Sequence, residues 1–328
     1  MASPTRPPKN LGFLLLIVAL LGGSLLPIQS RINGALSTTL GDPVTASTIS
    51  FCMGLVVLSL LAVVLPKARR AVVGIPRVLK RREFPWWYLL AGVVGTFTVA
   101  SQSVVVPALG VALFTVALVT GQSIGSLVID RIGFGPGGPR RISATRLIGA
   151  LLTVGGVLWA VSPRLELANH LGLIVLPVVC TLTVGVLLGF QSAAVGVQAN
   201  AYGSALAATF MNFLVGTLIL GLVLALRWSA NGMPQSFPSS WWYYSGGLLG
   251  CIFVGVAAFL VRRLGVLVTG LSMICGQLLG SLLLDLLVPT AGTVLSPATV
   301  AGTVLTMLAA AIAALPSRSA PAEARRTV

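Results

Sequence analysis

The sequence predicts an all-α integral membrane protein of ten transmembrane helices, arranged as two inverted five-helix repeats. Three observations predict it. The 328 residues are 56% hydrophobic and only 8% charged, with a mean hydropathy of +1.01. A soluble domain carries about 25% charged residues and has no way to bury so much apolar surface. A pattern, G-Q-x-x-G-S-L-x-x-D, occurs twice, from Gly121 to Asp130 and from Gly276 to Asp285. The basic residues, finally, are concentrated on alternate connections between apolar runs.

The elements follow in order. Residues 1–10 are a polar tail with Arg6 and Lys9, and the run behind it lacks a small-x-small cleavage site, so it is read as an uncleaved first span. A bilayer core of about 30 Å needs roughly 20 apolar residues per helix. Ten runs qualify: 11–29, 45–65, 87–106, 111–130, 144–161, 171–192, 206–226, 243–261, 266–288 and 298–315. Because backbone polar groups in lipid must bond within the segment, these runs are helices. A basic loop is expected at 66–85 and a polar tail at 316–328. Nothing left over is large enough for a soluble catalytic or nucleotide-binding domain.

Internal matches divide the chain. An offset of 155 carries Trp86-Trp87-Tyr88 onto Trp241-Trp242-Tyr243, Gly92 and Gly95 onto Gly247 and Gly250, and Leu109-Gly110 onto Leu264-Gly265. Upstream, an offset of 162 pairs Gln29-Ser30 with Gln191-Ser192, Phe51 with Phe213 and Gly54 with Gly216. Downstream, an offset of 153 pairs Ser143 and Gly149 with Ser296 and Gly302. The expected units are 11–163 and 171–315. Five helices per unit put the second copy upside down, and charge tests this separately. With the N-terminus inside, three of the 21 Lys and Arg lie outside (Arg31, Arg164 and Arg227) and the other eighteen inside. Both termini are therefore expected in the cytoplasm. The net charge of +15 reads as orientation signal, with no nucleic-acid partner.

Inverted repeats are the sequence mark of alternating-access transporters, whose solute binds near mid-membrane between the repeats. The polar residues within spans are thus candidate lining: Gln122 and Gln277 about twelve residues into their helices, Gln102 deep in helix 3, Asn212 in helix 7, and Gln29, Asn33 and Gln191 at helix ends. Interhelical hydrogen bonding is the plainer alternative for each. Gln122, Ser126 and Asp130 form one stripe on a helix, as do Gln277, Ser281 and Asp285. Gly121/Gly125 and Gly276/Gly280 flank these stripes and are expected to serve close helix packing. Asp130 and Asp285 fall at opposite faces, as gates or coupling sites, or as carboxylates anchored by an arginine such as Arg131 or Arg140. The four cysteines have no ligand spacing, and the lone His170 builds no metal site. No metal, cofactor or catalytic constellation is expected, and no G-x-x-x-x-G-K-[ST] of an ATPase occurs.

The residues also carry a resemblance. Pro27-Ile28-Gln29-Ser30-Arg31-Ile32-Asn33-Gly34, Ser50-Phe51-Cys52-Met53-Gly54, Trp86-Trp87 and the first G-Q motif resemble the YdcZ-like family, a branch of the drug/metabolite transporter superfamily. The second copy resembles it through Gln191-Ser192, Asn212-Phe213-Leu214-Val215-Gly216-Thr217 and the second G-Q motif. The resemblance implies ten helices as five plus five inverted, a bacterial inner membrane location and efflux of a small organic metabolite or drug-like solute. Two features depart from it. Asn33 is answered by Val195 in the second copy, and helix 1 lacks the membrane-embedded Glu of the small multidrug exporters. The expected partners are a small solute and the lipid bilayer, and a homodimer is compatible with such a bundle. A membrane-embedded scaffold or lipid-handling protein is the alternative, favoured only by the basic stretch 66–85.

Overall fold

The computed structural model describes residues 9–135, 138–139, 142–167, 172–234 and 236–313, and among them there is no strand. The helices are α1 (Lys9–Leu40), α2 (Pro43–Val64), α3 (Pro66–Lys80), α4 (Ala91–Leu109), α5 (Val111–Ile132), α6 (Ala144–Leu167), α7 (Gly172–Tyr202), α8 (Ala205–Asn231), α9 (Gly246–Leu287) and α10 (Pro297–Ala313). Short 3₁₀ turns at Trp86–Leu90 and Trp241–Tyr244 lead into α4 and α9. Eight helical stretches are long and apolar enough to cross a membrane, and Gly246–Leu260 and Pro297–Ala313 are shorter apolar helices. Leu60, Val63, Leu151, Leu158, Leu222 and Leu226 are among many large side chains left exposed on the outside of the bundle. Such a surface suits hydrocarbon, not water. The expected N-terminal tail up to residue 8 and the C-terminal tail lie outside the described residues.

Two expectations need correction. The stretch 66–85 is largely helix, not loop. Pro66 at the first helical position suits helix entry, and Arg77 and Lys80 in the last turn complement the helix dipole. Ala68 and Ile75 are buried on one face while Lys67, Arg69, Arg70 and Arg77 are exposed on the other. The break expected between the runs 243–261 and 266–288 lies inside α9, whose helical bonding continues over 42 residues. A straight helix of that length would span about 63 Å, but its contacts exclude one. Gly246 abuts Asn33, Gly250 abuts Gln29 and Val256 abuts Gly22, while Leu260 packs with Leu15 and Ala19. This limb runs antiparallel to α1. Further on, Gly276 abuts Leu20, Gly280 abuts Ser24, and Arg31 Nε donates to the Val288 carbonyl at 3.2 Å. This limb runs parallel to α1. Both ends of α9 therefore lie beside the same stretch of α1, and the chain reverses between Leu260 and Gly276.

Matched positions of the two halves contact one another reciprocally. A Cβ on Gly54 would overlap the ring of Phe213, and one on Gly216 would overlap the ring of Phe51. Gly95 abuts Gln191, and its match Gly250 abuts Gln29, the match of Gln191. Gly121 lies against the Leu182 backbone and Gly276 against the Leu20 backbone. One turn on, Gly125 lies against the Val186 backbone and its match Gly280 against Ser24. Gly149 meets Ala309 and Ala313, while Gly302 meets Gly156 and Ala160. Each of these contacts thus has a counterpart between the matched positions. In the α6/α10 pair, residue numbers rise on one helix as they fall on the other, as they also do in α2/α8. These two sequence-matched pairs, α6/α10 and α2/α8, therefore pack antiparallel. Glycine is needed at these crossings because backbones approach too closely for any side chain. Every residue of α5 from Val111 to Gly121 is buried, and the helix anchors the largest core cluster with Val157, Val184 and Leu278.

Candidate functional site

Below Gly121 the enclosure of α5 ends. Gln122, Ser126 and Asp130 line a cavity of about 270 Å³ whose other walls include Arg146 and Ala150 of α6, Leu271 and Ile274 of α9, and Ala310 and Ala313 of α10. Gly125 sits within the same motif but is not part of the cavity wall. It is buried on the other side of α5, where Gly189 of α7 in turn abuts its backbone. The glycine stripe thus faces α7 while the polar stripe beside it faces open space. Asp130 Oδ2 is paired with Arg146 Nη1, the two side chains being 34% and 35% exposed. The partners Arg131 and Arg140, expected from proximity in sequence, are thereby corrected to Arg146, with Arg140 outside the described residues. Adjacent residues on a helix point in different directions, so Arg131 cannot turn back onto Asp130. Arg146 belongs to the first turn of α6, which follows Ser143, whose Oγ accepts from the Arg146 N–H at 3.3 Å. A cation in a first turn opposes the helix dipole. That misplacement is the one signal in the sequence pointing to a carboxylate partner.

The second copy of the motif has other surroundings. Gln277, Ser281 and Asp285 are 5%, 0% and 4% exposed. Asp285 accepts the Val111 N–H at 2.9 Å on Oδ1 and the Ala112 N–H at 2.8 Å on Oδ2, and Oδ1 also accepts from the Thr293 hydroxyl at 3.2 Å. The carboxylate thus caps the first turn of α5, where N–H groups lack helical partners and the dipole favours negative charge. Among the described residues no arginine anchors it, contrary to the expectation of an ion pair. Gly110, at φ +80°, makes this approach feasible, since a Cβ there would stand 2.8 Å from Asp285 Oδ2.

The sequence offsets bring out the contrast. They carry the cavity residues Gln122, Ser126, Asp130, Arg146 and Ala150 onto Gln277, Ser281, Asp285, Thr299 and Thr303, none more than 5% exposed. They carry Gly270 and Leu271 of the facing wall onto Thr115 and Val116, at 2% and 0%. One end of the bundle holds a cavity; the matched end is packed shut.

Four of the remaining candidates form two separate pairs. Asn33 Nδ2 donates to Gln102 Oε1 at 2.7 Å, joining α1 to α4, with both side chains at most 1% exposed. Asn33 Oδ1 and Ser50 Oγ, buried without partners among the described residues, both face Gly246. Gln191 Nε2 donates to Asn212 Oδ1 at 3.1 Å, joining α7 to α8 beside Gly95. Gln29 is buried against Gly250, and Gln277 Oε1 is also without a partner among the described residues. The cavity therefore gathers Gln122 and Asp130; Gln29, Asn33, Gln102, Gln277 and Asp285 lie buried away from it, and Gln191 and Asn212 are half-buried elsewhere. Sequence reasoning missed Arg146 and one further ion pair. Arg227 Nε meets Asp42 Oδ1 at 2.8 Å, tying the α1–α2 turn to the end of α8. Burial works to raise the Asp42 pKa, but hydrogen bonds from the Thr45 hydroxyl and Val44 N–H, with Arg227, outweigh it and hold the carboxyl below its usual range.

Comparison with known proteins gives three findings. The family model described as "Putative inner membrane exporter, YdcZ" matches twice, over residues 14–159 and 176–312. A solved crystal structure of a protein aligns over 95% of this chain and 99% of its own, with a TM-score of 0.56 at 19% identity, a likeness of fold. No curated protein matches the chain.

Proposed function

The chain belongs to the YdcZ family of inner membrane exporters, and from that premise we propose that it is a secondary transporter that expels a small organic solute by alternating access. In this reading ten spans form two inverted repeats, 11–163 and 171–315, with both termini in the cytoplasm. The reciprocal glycine contacts and the antiparallel packing of matched helices support the inversion. The observation that carries the proposal is the unequal state of the two motif copies. A two-fold scaffold with a cavity at one end and a packed counterpart at the other is what one stage of a rocking cycle requires. The distribution of basic residues supports a cytoplasmic location for the open end, at Asp130 and Arg146.

Within the cycle Gln122 and Ser126 line the inward path, and Gln277 and Ser281 line it when the opposite end opens. Asp285 latches the outer end through α5, and Asp130 keeps the inner mouth open by holding Arg146. Gln29, Asn33, Gln102, Gln191 and Asn212 form the polar interior between the two paths. The polar pairs hold the helices in register until rocking exposes them to the solute.

The test places cysteines at Leu127 and Ala310, on facing cavity walls, after replacement of the four native cysteines. Cross-linking them with a bifunctional thiol reagent should abolish the difference in exported metabolites between cells that overproduce the protein and cells that lack it. Undiminished export after complete cross-linking would contradict the proposal.

A further inference from the structure

The cavity wall carries one carboxylate, Asp130, and one guanidinium, Arg146, and among its lining residues no other charge. Paired, they cancel. A solute of single charge would bind one of them and leave the other without a partner at the cavity. A neutral solute would have no use for either. A solute bearing both signs can exchange partners, giving its ammonium to Asp130 and its carboxylate to Arg146, and every charge remains matched. An arginine suits the second contact because its planar fork takes a carboxylate through two parallel hydrogen bonds. Val119, Leu127 and Ile274 supply an apolar wall beside the charged pair. The cavity volume of about 270 Å³ falls just under the range of about 300–1,000 Å³ usual for small-molecule sites, so the hydrocarbon part is short.

We propose that the exported solute is a small zwitterion, an ammonium and a carboxylate on a short apolar body, read by Asp130 and Arg146 together. The inference rests on the cavity being the inner end of the transport path.

The test uses four probes with the same isobutyl group: leucine, isoamylamine, isocaproate and isocaproamide. Their binding to the full-length protein in lipid nanodiscs is measured by calorimetry. Leucine should bind at least about tenfold tighter than each of the others, the scale expected for a hydrogen-bonded charge. Arg146→Gln should remove the preference over isoamylamine and keep that over isocaproate. Asp130→Asn should do the reverse. The double exchange Asp130→Arg with Arg146→Asp restores an ion pair and should recover leucine binding, which separates loss of recognition from loss of fold. Isocaproamide binding as well as leucine, no leucine binding, or variants that weaken all four probes equally would each overturn the inference. Those results would leave the transport reading standing so long as cross-linking across the cavity still stops export.

Discussion

The rings of Phe51 and Phe213 meet with centroids 5.1 Å apart, each seated on a glycine of the other's helix. The two residues are matched by the internal repeat, so a single contact joins the halves from both sides. Gly54→Ala and Gly216→Ala each push a methyl group into a ring. Overpacking of this kind costs about 1–3 kcal/mol. The two losses should be similar, since the surroundings are reciprocal. Thermal unfolding of the purified protein in detergent checks both, and a neutral effect at either glycine would show that the helices can part there freely.

The two motif aspartates should respond differently to the same change. Asp285→Ala leaves the Val111 and Ala112 N–H groups buried and unpaired, at a cost of about 1–3 kcal/mol for each donor stranded. Asp130→Ala breaks a pair that is one-third exposed, and such pairs contribute about 0–1 kcal/mol. Unfolding should therefore be clearly easier for the Asp285 variant and nearly unchanged for the Asp130 variant. Export should fall in both.

Gln122→Ala should alter export without changing expression or unfolding temperature, because its side chain faces the cavity and is only half-buried. Gln102→Leu should lower the unfolding temperature as well as export. It strands Asn33 Nδ2 in a fully enclosed site and should cost about 1–3 kcal/mol. Unfolding and export measured on the same preparations separate the two outcomes.

Acid should loosen the contact between the α1–α2 turn and α8. Asp42 has a pKa below its unfolded value of about 3.9, so its stabilising contribution is present above that value. The contribution is lost as pH falls through the lower, folded value. The unfolding temperature of the wild type should drop more steeply than that of Asp42→Asn below about pH 4. Parallel pH profiles for the two proteins would remove Asp42 from the account.

Much of the fold is legible in the sequence for a physical reason: lipid demands long apolar helices, so hydropathy alone locates the apolar helices, eight of them long enough to cross a membrane. The repeat is legible because Phe51, Gly54, Gly92 and their matches serve the same crossing twice. Helix α3 reads as a loop because seven cations in and just after it dominate the pattern. Its apolar stripe, Ala68 and Ile75, appears only at helical spacing. Arg146 escapes notice because its partner lies 16 residues away across a turn. Within the first motif, sequence spacing separates the faces of the helix: Gly125 packs on α7 while Gln122 and Ser126 look into the cavity. The difference between Asp130 and Asp285 has no sequence signal at all. A repeated sequence gives both copies the same residues, while the structure places one copy on a cavity and buries the other. The paired glutamines share that ambiguity, and only Gln122 faces open space.

The most direct test of alternating access compares Ser126 with its match Ser281 in a background free of native cysteines. Ser126→Cys should react with a membrane-impermeant maleimide added from the cytoplasmic side. Ser281→Cys should react only from the opposite side, and only when the cycle opens that end. Wedging the inner cavity open with a bulky maleimide on Ser126→Cys should then suppress labelling of Ser281→Cys in the double variant. Labelling of both positions from one side, or of Ser281→Cys at an unchanged rate with the wedge in place, would contradict the account.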